Sequence, residues 1–154
     1  MSLKHVLTIL SLLGVLGLVL FLPSLIDNPS HQGDEKVSHP LCSLNQNECT
    51  YSSSIYGDVT VSVSPKDFQA LKPLKVTLTS QNHDITNVLV SLDGKEMFMG
   101  VNQTMLSRSN LTERWEGVIT IPVCTIDAEM VWLFSVTLNG LDKERLVFDI
   151  KSKH

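Results

Sequence analysis

The chain has 154 residues, with 12 basic and 16 acidic side chains and a formal net charge of −4 at pH 7. This length suits one globular domain. The acidic balance and the lack of a basic patch exclude a typical nucleic-acid-binding protein, and no run of lysine and arginine marks a site for anionic lipid.

The first segment of the chain, residues 6–26, reads VLTILSLLGVLGLVLFLPSLI and contains no charged residue. As an α-helix it would span roughly 31 Å at about 1.5 Å per residue, which matches the ~30 Å hydrocarbon core of a bilayer. We therefore predict an uncleaved transmembrane anchor. Lys4 precedes it and acidic residues follow from Asp27, so the positive-inside rule places residues 1–5 in the cytoplasm and the rest outside. That outer compartment is the periplasm if the source is a Gram-negative bacterium. A cleaved signal peptide is the alternative, although no alanine for a cleavage site occurs before Ala70.

The segment after the predicted anchor, residues 27–41, contains few apolar side chains, as in its stretch NPSHQGDEKVSHP. Such a segment buries too little surface to offset its conformational entropy. We predict a flexible tether, which would hold an extracytoplasmic domain of residues 42–154 near the membrane.

Three cysteines, Cys42, Cys49 and Cys124, would meet oxidising conditions outside the cytoplasm. The count is odd, so one thiol is left over or pairs between chains. A Cys42–Cys49 bridge would contribute about 2.5 kcal/mol and a Cys49–Cys124 bridge about 4.5 kcal/mol in the chain-entropy model. The sequence leaves both pairings open.

Zinc binding by His39 with Cys42 and Cys49 is the alternative, but their spacing matches no usual zinc pattern, and a structural disulfide is favoured.

From Gly57 onward, apolar residues recur with a period of two, which indicates β-strands rather than helices. The alternating stretches are DVTVSV, LKVTLTS, NVLVSL, WEGVITI, MVWLFSVTL and RLVFDI. About seven short strands separated by frequent turns predict an all-β domain, an antiparallel β-sandwich of immunoglobulin-like type. An up-and-down β-barrel is the alternative.

A two-residue hairpin turn is predicted at Asp93–Gly94, a dipeptide that favours such turns. This turn would place Val90 opposite Met97, with Met99 two residues further along the same face. That face is expected to be the core side, where methionine fills irregular gaps.

The last hairpin is predicted near Asn139–Gly140. A three-residue loop ending at Leu141 keeps one face apolar and would pair Trp132 with Phe148, whereas a two-residue loop would mix apolar and charged partners. Since register follows the apolar face, we expect the three-residue loop or a bulge.

The methionines are the candidate binding residues. Thioether and thiolate sulfurs are soft ligands that select Cu(I), and alternation brings Met97 and Met99 to one side. Met105, Cys124 and Met130 are further candidate ligands. Simple core packing of these side chains is the competing interpretation.

The layout of the chain resembles the FixH/YtkA-like group. The features that carry this resemblance are the apolar residues 6–26, the alternating strands and the stretch EMFMG at residues 96–100. Members of that group are bacterial membrane-anchored proteins associated with copper supply or terminal-oxidase assembly. The resemblance implies an accessory protein with an envelope protein as partner, and Cu(I) as the ligand.

Catalytic motifs give no support for an enzyme, since no phosphate-binding loop, nucleophile elbow or metalloprotease motif occurs. The acidic side chains Asp142 and Glu144 are expected to be solvated turn residues. Two hypotheses follow: a membrane-anchored accessory protein that handles Cu(I), or a tethered protein–protein interaction module without a ligand.

Overall fold

The computed structural model describes residues 4–5, 7, 11–14, 35–109, 113–123, 129–139 and 143–153. The chain divides into two compact units, Met1–Gln32 and Gly33–His154. In the first unit the described residues are helical. Among all described residues, no helix has the length and apolar content needed to cross a bilayer. The predicted anchor at residues 6–26 lies largely outside the described residues.

The second unit, which we call the β domain, consists of strands, and this confirms the all-β prediction. Its described part contains nine strands in one sheet, in the order β1-β9-β8-β5-β6-β7-β4-β3-β2. The strands are β1 (Lys36–Ser38), β2 (Cys49–Ser53), β3 (Gly57–Ser64), β4 (Pro73–Ser80), β5 (Asn87–Gly94), β6 (Asn102–Arg108), β7 (Arg114–Thr120), β8 (Glu129–Asn139) and β9 (Lys143–Lys153).

The sheet is mixed and curled. Only the β1–β9 pairing is parallel among the strand pairs described, and the others are antiparallel. Strand β6 connects the two halves, because its first part pairs with β5 and its last two residues, Ser107 and Arg108, pair with β7. The two edge strands approach each other, and the Tyr51 hydroxyl of β2 donates a hydrogen bond to Ser38 Oγ of β1 at 2.8 Å.

The core lies between the two halves of the curled sheet and follows from the alternation in the sequence. In β3, for example, Val59, Val61 and Val63 are buried and the residues between them are partly exposed. The largest fully buried side chains include Trp115 and Trp132. Burial of each large apolar side chain contributes roughly 1.5–3 kcal/mol, so this core is the main stabilising feature of the β domain.

The predicted two-residue turn at Asp93–Gly94 is wrong. Strand β5 continues through Gly94, which pairs with Trp132 of β8, and β6 begins only at Asn102. Residues 95–101 form a longer connection, which the Lys95 backbone N–H fixes to the Val131 carbonyl at 3.0 Å. Pairing with the neighbouring strand therefore overrides the local turn preference of this dipeptide.

The last hairpin has the expected loop length but a different register. Asn139 pairs with Lys143, so three residues connect β8 to β9. Trp132 pairs with Ile150 rather than with Phe148, a shift of two residues that keeps the same face toward the core. This register places Phe134 opposite Phe148, with ring centroids 6.3 Å apart, and such aromatic pairs add about 0.5–1.5 kcal/mol.

Part of the segment that was predicted to be a tether belongs to the sheet. Residues 36–38, expected to belong to the flexible tether, form strand β1 and pair with β9. Cys42 and Cys49 form a disulfide with Cα atoms 5.6 Å apart, one of the two pairings left open by the sequence. Their bonded sulfurs are not free to bind zinc with His39. Cys124 lies outside the described residues.

Candidate functional site

Four strands end or begin at one end of the β domain, and the connections there carry most of the candidate residues. β5 and β7 end where β6 and β8 begin, and the Asn102 side chain of β6 donates a hydrogen bond to the Thr120 carbonyl of β7 at 2.6 Å. We call this region the methionine end. It comprises residues 95–101, residues 121–123 and Met130.

Three methionines converge on Gly94 at this end. A Cβ atom placed on Gly94 would lie 2.2 Å from the Met97 carbonyl oxygen, 2.5 Å from Met130 Cε and 3.2 Å from Met99 Cγ. The Met130 methyl and the Met99 side chain are therefore neighbours, since both lie within 3.2 Å of one point. Two of the sequence candidates are thus brought together: Met99 from the β5–β6 connection and Met130 from β8.

The three methionines near Gly94 differ in how far their side chains are exposed to solvent. Met97 is 37% exposed, Met99 is partly buried against the core, and Met130 is 9% exposed. Met99 and Met130 therefore place two thioethers close together in an apolar environment, where a soft cation could bind. The same burial also suits methionine as a filler of gaps in the core.

Met105 does not belong to this group. It lies on β6 opposite Leu89, and its side chain is 52% exposed on the outer face of the sheet. Leu89 precedes Gly94 by five positions on β5, which corresponds to about 17 Å along a strand at ~3.4 Å per residue. Cys124 follows Val123 of the methionine end in the sequence, but lies outside the described residues.

Large apolar side chains are exposed around the methionine end, and the sequence analysis missed them as a group. Phe98 is 82% exposed, Val101 78% and Leu71 67%. Leu71 adopts a φ of 62°, an unusual conformation for a bulky residue, and its N–H donates to the Ile121 carbonyl at 2.9 Å. We call this set the apolar rim. Its members are Leu71, Met97, Phe98, Val101 and Val123.

The charged side chains beside the methionine end form exposed ion pairs. Lys95 Nζ lies 2.5 Å from Asp149 Oδ2, and Lys153 Nζ lies 3.5 Å from Glu129 Oε1. Exposed pairs of this kind contribute about 0–1 kcal/mol each. They border the apolar rim without adding much stability.

A lowered pKa occurs away from this end, at Glu116 of β7. The hydrogen bond from Lys75 is the main cause, and the positive charge of Arg114 acts in the same direction, so the pKa of Glu116 lies below its ordinary value. Lys75 Nζ is 2.9 Å and Arg114 Nε 2.7 Å from the carboxylate oxygens. This cluster lies on the exposed side of the β4–β7 pair and stabilises that pair rather than a binding site.

Glu144 is the second feature that the sequence analysis missed. The expectation of a solvated turn residue is wrong, because Glu144 lies on the inner face of β9 and is fully buried. Its carboxylate accepts a hydrogen bond from Ser53 Oγ, lies 3.3 Å from the Tyr51 hydroxyl and lies 3.5 Å from Lys36 Nζ. These contacts join β1, β2 and β9, so Glu144 connects the two edges of the curled sheet.

Comparison with protein-family models, with curated proteins and with solved structures finds no match to this chain. The arrangement of the described residues is therefore the basis for a functional assignment. Within it, the methionines around Gly94 and the surrounding apolar rim have chemistry that suggests binding.

Proposed function

We propose that the chain is a non-catalytic accessory protein of the cell envelope that binds Cu(I). Residues 6–26 anchor it in the membrane, and the β domain lies outside the cytoplasm. The convergence of Met99 and Met130 beside Gly94 is the observation that carries this proposal. Copper supply or support of terminal-oxidase assembly is the process that the resemblance to the FixH/YtkA-like group implies.

The strand order supports an immunoglobulin-like sandwich as the scaffold of this protein. In immunoglobulin domains, strands C, F and G form one sheet and strands A, B and E belong to the other. Here β5-β8-β9 are neighbours in the C-F-G order, and β3-β4-β7 are neighbours in the A-B-E order. The methionine end then corresponds to one end of the sandwich, where loops from both sheets meet.

The proposed ligands are Met99 and Met130, with Met97 as the residue that meets the ion at the surface. Thioethers bind Cu(I) as neutral soft donors, so their affinity needs no deprotonation. Asp149 and Glu129, which lie beside this region, are paired with lysines on the exposed surface. The site is therefore suited to a soft monovalent ion rather than to Ca²⁺ or Mg²⁺, which require oxygen ligands.

A competition titration tests this proposal. The full chain in lipid nanodiscs is titrated with Cu(I) against a chromogenic chelator, beside the variant Met99→Leu/Met130→Leu. Replacement of methionine by leucine preserves most of the volume and usually costs less than about 1.5 kcal/mol. We expect one Cu(I) per chain in the wild type and at least tenfold weaker binding in the variant.

Met105→Leu is the matched control, because Met105 lies on the outer face away from Gly94. It should bind Cu(I) as the wild type does. Failure of the folded wild type to compete with the chelator would contradict the proposal, as would equal binding by the double variant.

A second candidate function is favoured by the apolar rim. Single exposed apolar residues are normal, but adjacent ones on one end of a domain indicate a contact surface. Phe98 and Val101 expose most of their side chains on the same connection, and aromatic residues are enriched at interfaces. We therefore propose, as the alternative, a tethered module that docks on an envelope protein through this rim.

Site-specific photo-crosslinking in membranes of the source organism separates this alternative from the first. A photoreactive residue at position 98 should form a discrete adduct with one envelope protein. The same residue at position 118 is the control, because Val118 is 56% exposed on β7 outside the rim. Equal adducts at both positions, or none at position 98, would contradict the docking role.

A further inference from the structure

Gly94 occupies a position where the backbone conformation does not require glycine. The glycines with positive φ among the described residues are Gly57 and Gly100, and Gly94 is not one of them. It lies at the end of β5 and pairs with Trp132 of β8. Glycine weakens a strand because it has no side chain to pack, and it often marks a place where another group approaches the backbone closely.

The space beside Gly94 is filled by the candidate ligands themselves. A Cβ atom there would lie 2.2 Å from the Met97 carbonyl oxygen and 2.5 Å from Met130 Cε, closer than Cβ contacts ordinarily come. The Met97 carbonyl belongs to the backbone and cannot rotate away as a side chain does. The hydrogen bond from Lys95 N–H to the Val131 carbonyl holds the start of the same connection. A side chain at position 94 would therefore displace the segment that carries Met97 and Met99.

We infer that Gly94 is a positioning residue of the Cu(I) site: its missing side chain leaves the space in which Met99 and Met130 come together. This inference rests on the proposed function. It adds a residue that contacts the proposed ligands without binding the ion itself. It also gives a reason for a glycine at the end of β5, where the backbone conformation does not require one. Met97 approaches Gly94 with its backbone carbonyl, whereas Met99 and Met130 approach it with their side chains.

The variant Gly94→Ala tests this inference in the full chain in lipid nanodiscs, with the Cu(I) competition titration as the readout. We expect at least tenfold weaker Cu(I) binding than in the wild type. Gly57→Ala is the matched control. It introduces backbone strain at a positive φ of 71°, but its Cβ would meet no atom within 4 Å, and Gly57 lies at the start of β3. Gly57→Ala should bind as the wild type does.

The outcomes distinguish the inference from the function on which it rests. If the wild type and a folded Gly94→Ala variant bind Cu(I) equally, Gly94 has no positioning role and the copper function stands. If the wild type does not bind Cu(I), both are overturned. If both glycine variants lose binding to the same extent, the effect is general destabilisation and the inference is overturned.

A measurement on the wild type covers the case in which Gly94→Ala does not fold. NMR of the full chain with labelled methionine methyl groups is recorded while Ag(I), a redox-inert soft cation, is added. The Met99 and Met130 methyl signals and the Gly94 backbone amide should shift together, and the Met105 methyl should not. Shifts of the methionines without Gly94, or no shift of Met130, would overturn the inference.

Discussion

At the scale of single residues, the buried carboxylate of Glu144 makes a testable contribution to stability. Its charged partner Lys36 belongs to the three-residue strand β1. Lys36→Met would remove the positive charge 3.5 Å from a buried carboxylate. Because Lys36 is itself 42% exposed and the hydroxyls of Ser53 and Tyr51 remain as partners of Glu144, we expect a loss of about 1–3 kcal/mol. Lys143→Met is the matched control, since Lys143 pairs with Glu35 on the surface at 3.6 Å and such pairs contribute about 0–1 kcal/mol. Chemical denaturation of both variants measures the difference, and equal losses in the free energy of unfolding would contradict the role assigned to Glu144.

The binding residues also show what a sequence can reveal at this scale. Sulfur chemistry identifies Met99 and Met130 as candidate ligands, but 31 positions separate them, and only the pairing of β5 with β8 brings them together. Met105 is a candidate by proximity in sequence, yet its strand turns it toward the outer face. The burial of Glu144 was not predictable from local pattern, because it depends on which edge strands meet across the curled sheet.

At the scale of elements, strands with one apolar face were predictable and their connections were not. The alternation in β3 and β4 follows directly from period-two patterning, because a half-buried strand must place its apolar residues on one side. β1 has no such pattern and was not predictable. Its pairing with β9 and the contact between Lys36 and Glu144 hold it in place. The Asp93–Gly94 dipeptide has the local chemistry of a turn, but pairing of Gly94 with β8 and the close approach of Met97 keep it in the strand.

At the scale of the whole molecule, the proposed function requires the β domain to remain attached to a membrane. A charged arginine near the middle of a transmembrane helix costs about 2.5–3.5 kcal/mol, so two of them should abolish stable insertion of residues 6–26. We expect the wild-type chain to stay in the membrane fraction at full length after alkaline carbonate extraction. Leu16→Arg/Leu18→Arg should move the chain to the supernatant, whereas Ser2→Arg, outside the apolar segment, should not. Release of the full-length wild type, or the same fractionation for all three proteins, would show that residues 6–26 do not anchor the chain.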